Sequence, residues 1–302
     1  MQQEFYSNGK LLLSGEYAIL DGAKGLAVPT KFGQSLQVSP TQDDSIHWKS
    51  IALDAKVWFS CQFNPYDLKL IKSSDNLIAN TLQKILVAAR NSNPEFLNTP
   101  NGFEVVTKLD FPREWGLGTS STLLNNIAMW AQVDAHELLW NSFGGSGYDI
   151  SCAQHNSPLV YHIEKGVPKT ELVTFNPAFT KSIFFVYLNQ KQSSKKAIAN
   201  YRTKQFNKQD LINSIDVLTS KMLSANKLSA FEVSVQAHEE LLSKILGLTP
   251  IKEQLFPDYF GTVKSLGGWG GDFVMVTGNK KTPEYFKSKG FDIVIPFTEM
   301  VL

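Results

Sequence analysis

The stretch Trp115-Gly116-Leu117-Gly118-Thr119-Ser120-Ser121-Thr122-Leu123 places two glycines ahead of a run of hydroxyl side chains and then enters an apolar pattern. The apolar residues recur at the spacing of one helix face: Leu123, Leu124, Ile127, Ala128, Trp130 and Ala131. A glycine-rich turn that opens a helix collects unpaired backbone N–H groups at the positive end of the helix dipole, which suits it to hold phosphate. A Ser/Thr helix cap after a glycine loop explains the stretch equally well, so the local sequence leaves both interpretations open.

The composition is that of an ordinary globular protein. The chain has 302 residues, of which 43% are hydrophobic and 19% charged, a length that allows two domains. Lys plus Arg total 29 against 28 for Asp plus Glu, so the charge indicates neither nucleic acid nor an acidic membrane as a partner. The two cysteines, Cys61 and Cys152, favour a reducing compartment.

The termini and the apolar runs predict a cytoplasmic protein without a membrane anchor. The first residues are acidic where a signal peptide is basic, and no apolar segment follows before Lys10. The longest strongly apolar run, residues 183–188, is far shorter than a bilayer requires.

The order of patterns along the chain predicts mixed α and β structure. Residues 11–13 and 17–20 are apolar runs around a polar bend, which predicts two strands. A β-rich region at 34–63 is followed by a helix from Ser74 or Asp75, then by a strand at 102–109. Two amphipathic helices lie beyond residue 180, where we place the domain boundary, and His238 in the second is interpreted as an interface residue.

Two further glycine-rich segments stand out. Gly144-Gly145-Ser146-Gly147-Tyr148-Asp149 sets a carboxylate directly after a flexible turn, where it is either a helix cap or a group directed into a cleft as a proton acceptor or metal ligand. Residues 264–276 place four glycines within five positions before an apolar strand, which indicates that the backbone closely approaches a ligand or another loop.

The residue types in these segments suit phosphoryl transfer. The sequence has no Walker A signature, no H-E-x-x-H and no Cys/His zinc spacing, and Ser121 replaces the third glycine of the dinucleotide pattern G-x-G-x-x-G. A phosphate-binding loop, an early lysine and a carboxylate after a glycine turn remain. Phosphoryl transfer needs such groups around the triphosphate, the metal and the acceptor hydroxyl.

In chain order, three segments resemble the motifs of the GHMP kinase superfamily, which includes galactokinase, homoserine kinase, mevalonate kinase and phosphomevalonate kinase. Residues 8–19, Asn-Gly-Lys-Leu-Leu-Leu-Ser-Gly-Glu-Tyr-Ala-Ile, are similar to P-G-K-x-x-L-x-G-E-H-A-V, although Asn8 replaces the proline. The central loop is similar to G-L-G-S-S-A. Residues 264–272 resemble the K-x-x-G-A-G-G-G-D of phosphomevalonate kinases with Trp269 interrupting the glycines, and residues 145–149 resemble their G-S-G-F-D.

The resemblance implies a role for each matching residue. Asp149 is implied as the catalytic carboxylate and Lys10 as its cationic neighbour. The implied ATP-binding residues are Gly116, Leu117, Gly118, Thr119, Ser120, Ser121, Gly268 and Gly270. Ser120 is also implied as a Mg²⁺ ligand, with Glu137 as an approximate second ligand and Asp134 as its competitor. The implied acceptor-side residues are Glu16, Ser146, Ser194 and Lys195, the last two within a run similar to A-S-T-K.

The resemblance implies an α+β fold with two domains. An N-terminal ribosomal-protein-like α/β domain for ATP would span residues 1–180, and a ferredoxin-like C-terminal domain would span residues 181–302. The implied activity is an ATP- and Mg²⁺-dependent kinase acting on a hydroxyl or phosphate of a metabolite, with mevalonate or phosphomevalonate of isoprenoid biosynthesis as the expected acceptor. The alternatives are a diphosphomevalonate decarboxylase of the same fold and a catalytically inactive binding protein. We expect a small-molecule substrate and a monomer or homodimer.

Overall fold

The computed structural model describes residues 1–99, 101–190, 194–269 and 271–302, with only the backbone given for Ser194 and Lys195. These residues form an α+β fold, as expected. The strands are β1 (Gln3–Leu12), β2 (Gly25–Pro40), β3 (Ile46–Ile51), β4 (Val57–Phe63), β5 (Leu70–Ser73), β6 (Phe103–Leu109), β7 (Leu159–Glu164), β8 (Val167–Leu172), β9 (Ile183–Tyr187), β10 (Val263–Ser265), β11 (Phe273–Thr277) and β12 (Val294–Pro296). The α-helices are α1 (Asn76–Ser92), α2 (Thr119–Ala131), α3 (Ala135–Ser142), α4 (Tyr148–Gln154), α5 (Ser194–Arg202), α6 (Lys208–Ser224), α7 (Leu228–Leu246), α8 (Ile251–Leu255), α9 (Thr282–Ser288) and α10 (Phe297–Met300).

The chain forms two compact units, and each is assembled from separate segments. The first unit comprises Met1–Gly9, Phe32–Arg113 and Leu117–Gln154. The second comprises Lys10–Lys31, Glu114–Gly116 and His155–Leu302. Strand β2 therefore supplies residues to both units. The division of the chain into domains at residue 180 stays a prediction.

The first unit is a sheet covered by helices. Its strands lie in the order β5-β4-β3-β6-β2, and β3 runs parallel to β6 while the other neighbours along this path are antiparallel. Helix α1 begins where the sequence predicts, because the Asp75 side chain accepts hydrogen bonds from the N–H groups of Leu77 and Ile78. Its apolar face joins the buried residues of the strands and of α2, α3 and α4 in one core.

The second unit contains an antiparallel sheet in the order β10-β11-β9-β12. Chain order places helices between β9 and β10, a direct connection from β10 to β11, and α9 before β12. This is the β-α-β-β-α-β arrangement of ferredoxin-like domains. The first residues of β2 also belong to this unit, where they pair with β7, and β7 pairs with β8.

Helices α6 and α7 pack against each other in the second unit and enclose an apolar cluster. It consists of Tyr17, Ala18, Ala23, Tyr201, Leu211, Ile215, Leu242, Leu246 and Trp269. Leu211 and Ile215 of α6 and Leu242 and Leu246 of α7 are buried in this cluster, and Ile212 and Leu241 pack beside it. No helix within the described residues is both long and apolar enough to cross a bilayer.

The prediction of a strand at residues 17–20 is wrong. Ala18–Asp21 instead forms a 3-10 helix, because the chain turns through positive φ angles at Gly15 (+89°) and Tyr17 (+61°). The N–H of Ile19 then bonds to the carbonyl of Gly15. Alternating apolar residues alone do not reveal such a turn, since a left-handed tyrosine is rare.

Candidate functional site

The glycine loop leads directly into α2, so the phosphate-binding interpretation has the backbone that it requires. Within the first unit, Gly118 has φ +100° and immediately precedes the helix, which begins at Thr119. The Leu117 side chain is fully buried and anchors the loop. The first turn of α2 presents N–H groups that no earlier helical carbonyl can accept, which is the geometry of an anion site at a helix start.

The hydroxyl side chains of this turn have different environments. Ser121 Oγ donates to the carbonyl of Gly118 at 2.9 Å, and Thr122 Oγ1 donates to Gln34 Oε1 at 2.7 Å. Both residues are buried, whereas Ser120 is exposed. Thr122 and Ser121 therefore stabilise the start of the helix, and Ser120 is the hydroxyl accessible to a ligand.

Asp149 lies in the first turn of α4, as its second residue rather than as the cap. Three glycines with positive φ precede it: Gly144 (+71°), Gly145 (+117°) and Gly147 (+89°). The carbonyl of Gly147 lies 3.2 Å from His136 Nε2, and Ser146 is buried with 8% exposure. Because α4 packs against α2, the fold of this unit fixes the half-buried carboxylate on a rigid element.

Asp134 and Glu137, the two alternatives for a second Mg²⁺ ligand, lie at the start of α3, and that role stays a prediction. Asp134 caps this helix, since its Oδ1 accepts the N–H of Glu137 at 2.8 Å, and both side chains are exposed. Among the described residues there is no group of three or more His, Cys, Asp or Glu side chains that could hold a metal ion.

In the second unit, Lys10 is fixed near the end of β1. Its Nζ donates to the carbonyl of Gly116 at 2.8 Å, and the side chain is half-buried. The segment around Gly116 is held in turn by the sheet, because the Trp115 ring packs edge-on against Phe273 with centroids 5.5 Å apart. A cation is thus positioned at the entrance to the glycine loop.

Asp272 is a residue of this site to which the sequence analysis assigned no role. Gly116 has φ +65°, and a Cβ added there would lie 2.4 Å from Asp272 Cγ, so only glycine fits. Asp272 itself has φ +50°, and its backbone is fixed by bonds from its N–H to the carbonyl of Gln190 and from the N–H of Leu188 to its own carbonyl, both 2.8 Å. The Asp272 carboxylate therefore lies against Gly116, whose carbonyl accepts the hydrogen bond from the Lys10 ammonium.

The turn after β10 is anchored by an aromatic residue. Trp269, which interrupts the predicted glycine run, has φ +49° and is 4% exposed in the cluster with α6 and α7. Gly268 lies in the same turn, half-buried. Gly270 lies outside the described residues, and the side chains of Ser194 and Lys195 do too, so the roles predicted for these three stay predictions.

Glu16 is buried in the second unit, where its carboxylate pairs with a lysine. Its Oε1 accepts a hydrogen bond from Lys264 Nζ at 2.5 Å, and the two side chains are 1% and 0% exposed. Burial raises the Glu16 pKa, and the Lys264 charge opposes that shift. The predicted role of Glu16 toward the acceptor is untested, and this geometry favours a supporting one.

Glu239 on α7 completes this environment. It is 4% exposed, and its carboxylate accepts hydrogen bonds from the hydroxyl and the N–H of Ser265 at 2.7 and 3.1 Å. Burial raises the pKa of Glu239 from 4.5 to about 7, although Lys264 lowers it in part. Nothing in the sequence around Glu239 predicts its burial, because a glutamate on an amphipathic helix is ordinarily a surface residue.

Glu239→Gln is expected to flatten the dependence of stability on pH. A carboxyl group whose pKa is higher in the folded state makes that state bind more protons, so its contribution is complete near pH 4.5 and is lost as pH rises through about 7. The loss amounts to about 3 kcal/mol for this group. Urea unfolding from pH 4.5 to 8 measures it. Glu240→Gln, at the exposed next position, should leave the wild-type slope, and equal slopes for wild type and Glu239→Gln would refute the prediction.

The comparisons with known proteins find similar structures but no match by sequence. No protein-family model matches the chain, and no curated protein sequence matches it significantly. Among solved structures, mevalonate kinase of Methanococcus jannaschii matches with TM-score 0.70 and 17% identity, over 98% of this chain and 97% of that one. Galactokinase of Lactococcus lactis, complexed with galactose, matches with TM-score 0.71 and 13% identity over 96% and 89%.

A phosphomevalonate kinase of Streptococcus pneumoniae in complex with phosphomevalonate and AMPPNP matches with TM-score 0.69 and 15% identity, over 95% of each chain. These proteins are GHMP kinases and span almost the same length as this chain. The chain therefore has the GHMP kinase fold, and the fold predicted from the three motifs is confirmed.

Proposed function

We propose that this protein is an ATP- and Mg²⁺-dependent kinase of a small metabolite, with mevalonate or phosphomevalonate as the acceptor, acting in the cytoplasm in isoprenoid biosynthesis. The observation that carries the proposal is the position of Lys10, whose ammonium is bonded to Gly116 at the entrance to the glycine loop. Structural neighbours with the same fold include kinases of mevalonate and phosphomevalonate. A small-molecule substrate is proposed on the same grounds.

The proposed mechanism assigns one task to each group. The N–H groups of the first α2 turn and the exposed Ser120 hydroxyl would bind the ATP phosphates, and Ser120 is the side chain that would help to hold Mg²⁺. Bound Mg²⁺ supplies charge neutralisation on the phosphates. Asp149 accepts the proton of the acceptor hydroxyl, or orients a phosphate acceptor, and Lys10 offsets negative charge that develops during transfer.

The test of this proposal is turnover of ATP by the purified protein with a panel of hydroxylated and phosphorylated acceptors that includes mevalonate and phosphomevalonate. ADP release and the mass of the product are measured together. A product heavier than the acceptor by one phosphoryl group supports the kinase. Release of CO₂ from diphosphomevalonate would identify a decarboxylase instead. If no acceptor raises ADP release above the background, the protein is a binding protein and the proposal is wrong.

Ser120→Ala is expected to raise the KM for ATP by about tenfold, since the lost contact is a hydrogen bond to a charged phosphate or a metal ligand. The melting temperature should not change because Ser120 is exposed. Steady-state kinetics at varied ATP and Mg²⁺ concentrations measure the effect. Ser92→Ala replaces an exposed serine on α1 and serves as the matched control. An unchanged KM for Ser120→Ala at limiting Mg²⁺ would remove Ser120 from the nucleotide site.

A further inference from the structure

Four ionisable side chains are buried together in the second unit: Glu16, His238, Glu239 and Lys264. Their exposed fractions are 1%, 0%, 4% and 0%. A charge moved from water into such surroundings costs several kcal/mol unless opposite charges and hydrogen bonds compensate it. The charges of the cluster must therefore be compensated by one another and by hydrogen bonds. Its members come from three separate parts of the chain.

Lys264 supplies the cation of this cluster. Its ammonium donates to Glu16 Oε1 at 2.5 Å and to the carbonyl of Ser265 at 2.9 Å. His238 Nε2 lies 3.4 Å from the other carboxylate oxygen of Glu16, yet this nitrogen accepts the N–H of Gly15 at 3.0 Å. The imidazole is consequently neutral at this nitrogen, in agreement with burial and the Lys264 charge, which lower the pKa of His238. Lys264 alone balances the carboxylates.

The cluster joins two segments that lead to the same place. On one side, Gly15 and Glu16 follow β1, the strand that carries Lys10, and the turn at Gly15 is tight because a Cβ there would lie 2.7 Å from Gly25 Cα. On the other side, Lys264 lies on β10, which pairs with β11. The residue that precedes β11 is Asp272, which lies against Gly116.

These contacts form a closed path within the second unit. It runs from Lys10 along β1 to Glu16, across the buried pair to Lys264, through β10 and β11 to Asp272, and through Gly116 back to the Lys10 ammonium. A shift of the Glu16–Lys264 pair would move both partners of the bond between Lys10 and Gly116. Both side chains of the pair are almost completely buried, and close packing of the protein interior leaves them little room to move.

We propose that Lys264 is a positioning residue for the reaction: by holding Glu16 and the start of the glycine-rich turn, it fixes where the Lys10 ammonium lies. The effect on turnover rests on the proposed kinase function. The position of the Lys10 ammonium does not depend on the proposed function, so it is measured separately.

The experiment compares Lys264→Met, Glu16→Gln and the double variant. Lys264→Met alone leaves a buried carboxylate without its cation and is expected to unfold at a much lower temperature. The double variant removes both charges and should regain most of the melting temperature. It should still show a kcat at least tenfold below wild type, with a KM for ATP changed less than twofold, because the position of Lys10 is not restored.

The second readout does not need activity. Reductive methylation with ¹³C-formaldehyde labels accessible lysines, and the NMR signal of Lys10, assigned with Lys10→Arg, reports its surroundings. We expect the chemical shift of this signal to move in the double variant. Lys252→Met is the matched control, because Lys252 also donates to a backbone carbonyl of this unit, that of Gly261 at 2.6 Å, and its loss should leave the Lys10 signal in place.

The outcomes are distinguishable. A folded double variant with wild-type kcat and an unmoved Lys10 signal overturns the inference while leaving the kinase proposal intact. A wild-type protein inactive on every acceptor overturns the kinase proposal, and the NMR signal then decides the inference alone. If the double variant does not fold, Lys264→Arg replaces it: a bulkier cation must displace Glu16, so an unmoved Lys10 signal there likewise refutes the positioning role.

Discussion

Asp149→Asn is expected to lower kcat by a factor of about 10² to 10⁴ while leaving the protein folded. The amide cannot take up the proton of the acceptor hydroxyl at neutral pH. It has almost the same size, and its oxygen can still accept the N–H of Ile150, which Asp149 Oδ1 accepts at 3.1 Å. Single-turnover kinetics with saturating ATP separate the chemical step from product release.

Asp75→Asn is the matched control for this prediction. It makes the same chemical change at the start of another helix of the same unit, where Asp75 caps α1 and asparagine caps equally well. It should leave turnover and melting temperature close to those of wild type. If Asp149→Asn turns over ATP at the wild-type rate with an acceptor, Asp149 is not the proton acceptor of this reaction.

Trp269→Ala is expected to destabilise the protein by about 3 to 5 kcal/mol. The indole is 4% exposed and packs with Tyr17, Leu242 and Leu246, so its removal leaves a cavity in the core of the second unit. The positive φ at this position, +49°, does not offset the loss, because alanine keeps the Cβ that makes this conformation costly. Urea unfolding followed by circular dichroism measures the change.

Trp140→Ala provides the comparison for the loss of the same side chain at the surface. Trp140 is 37% exposed on α3, and its Nε1 donates to the carbonyl of Gly145 at 3.3 Å. Trp140→Ala should lower the free energy of unfolding by about 1 kcal/mol or less. Equal losses for the two variants would contradict the assignment of Trp269 as a core anchor of the glycine-rich turn.

The sequence predicts those parts of the fold that depend on local signals. Helix α1 follows from the cap at Asp75 and the apolar spacing behind it, and α2 follows from the glycines before Thr119. The exposed Ser120 and the bond from Lys10 to Gly116 agree with the roles implied by the motifs, although those roles await experiment.

Other features depend on contacts between distant residues, which local patterns do not contain. Lys264 stands in the third motif, but nothing in the neighbouring sequence tells that a lysine there is fully buried against Glu16, 248 positions away. The 3-10 helix after Tyr17 depends on a left-handed tyrosine held by packing in the second unit. The acceptor is not predicted in detail because its contacts come from scattered loop residues.

The discontinuous second unit has a consequence for the order in which the protein is made. Residues Lys10–Lys31 leave the ribosome early, yet their partners in the apolar cluster, among them Leu242 and Trp269, are synthesised much later. The segment that carries Lys10 therefore remains without its core until those residues have been made, and it is exposed to chaperones and proteases until then. This unit, and with it the pair of Glu16 and Lys264, becomes complete only after the residues from Lys264 onward have been made.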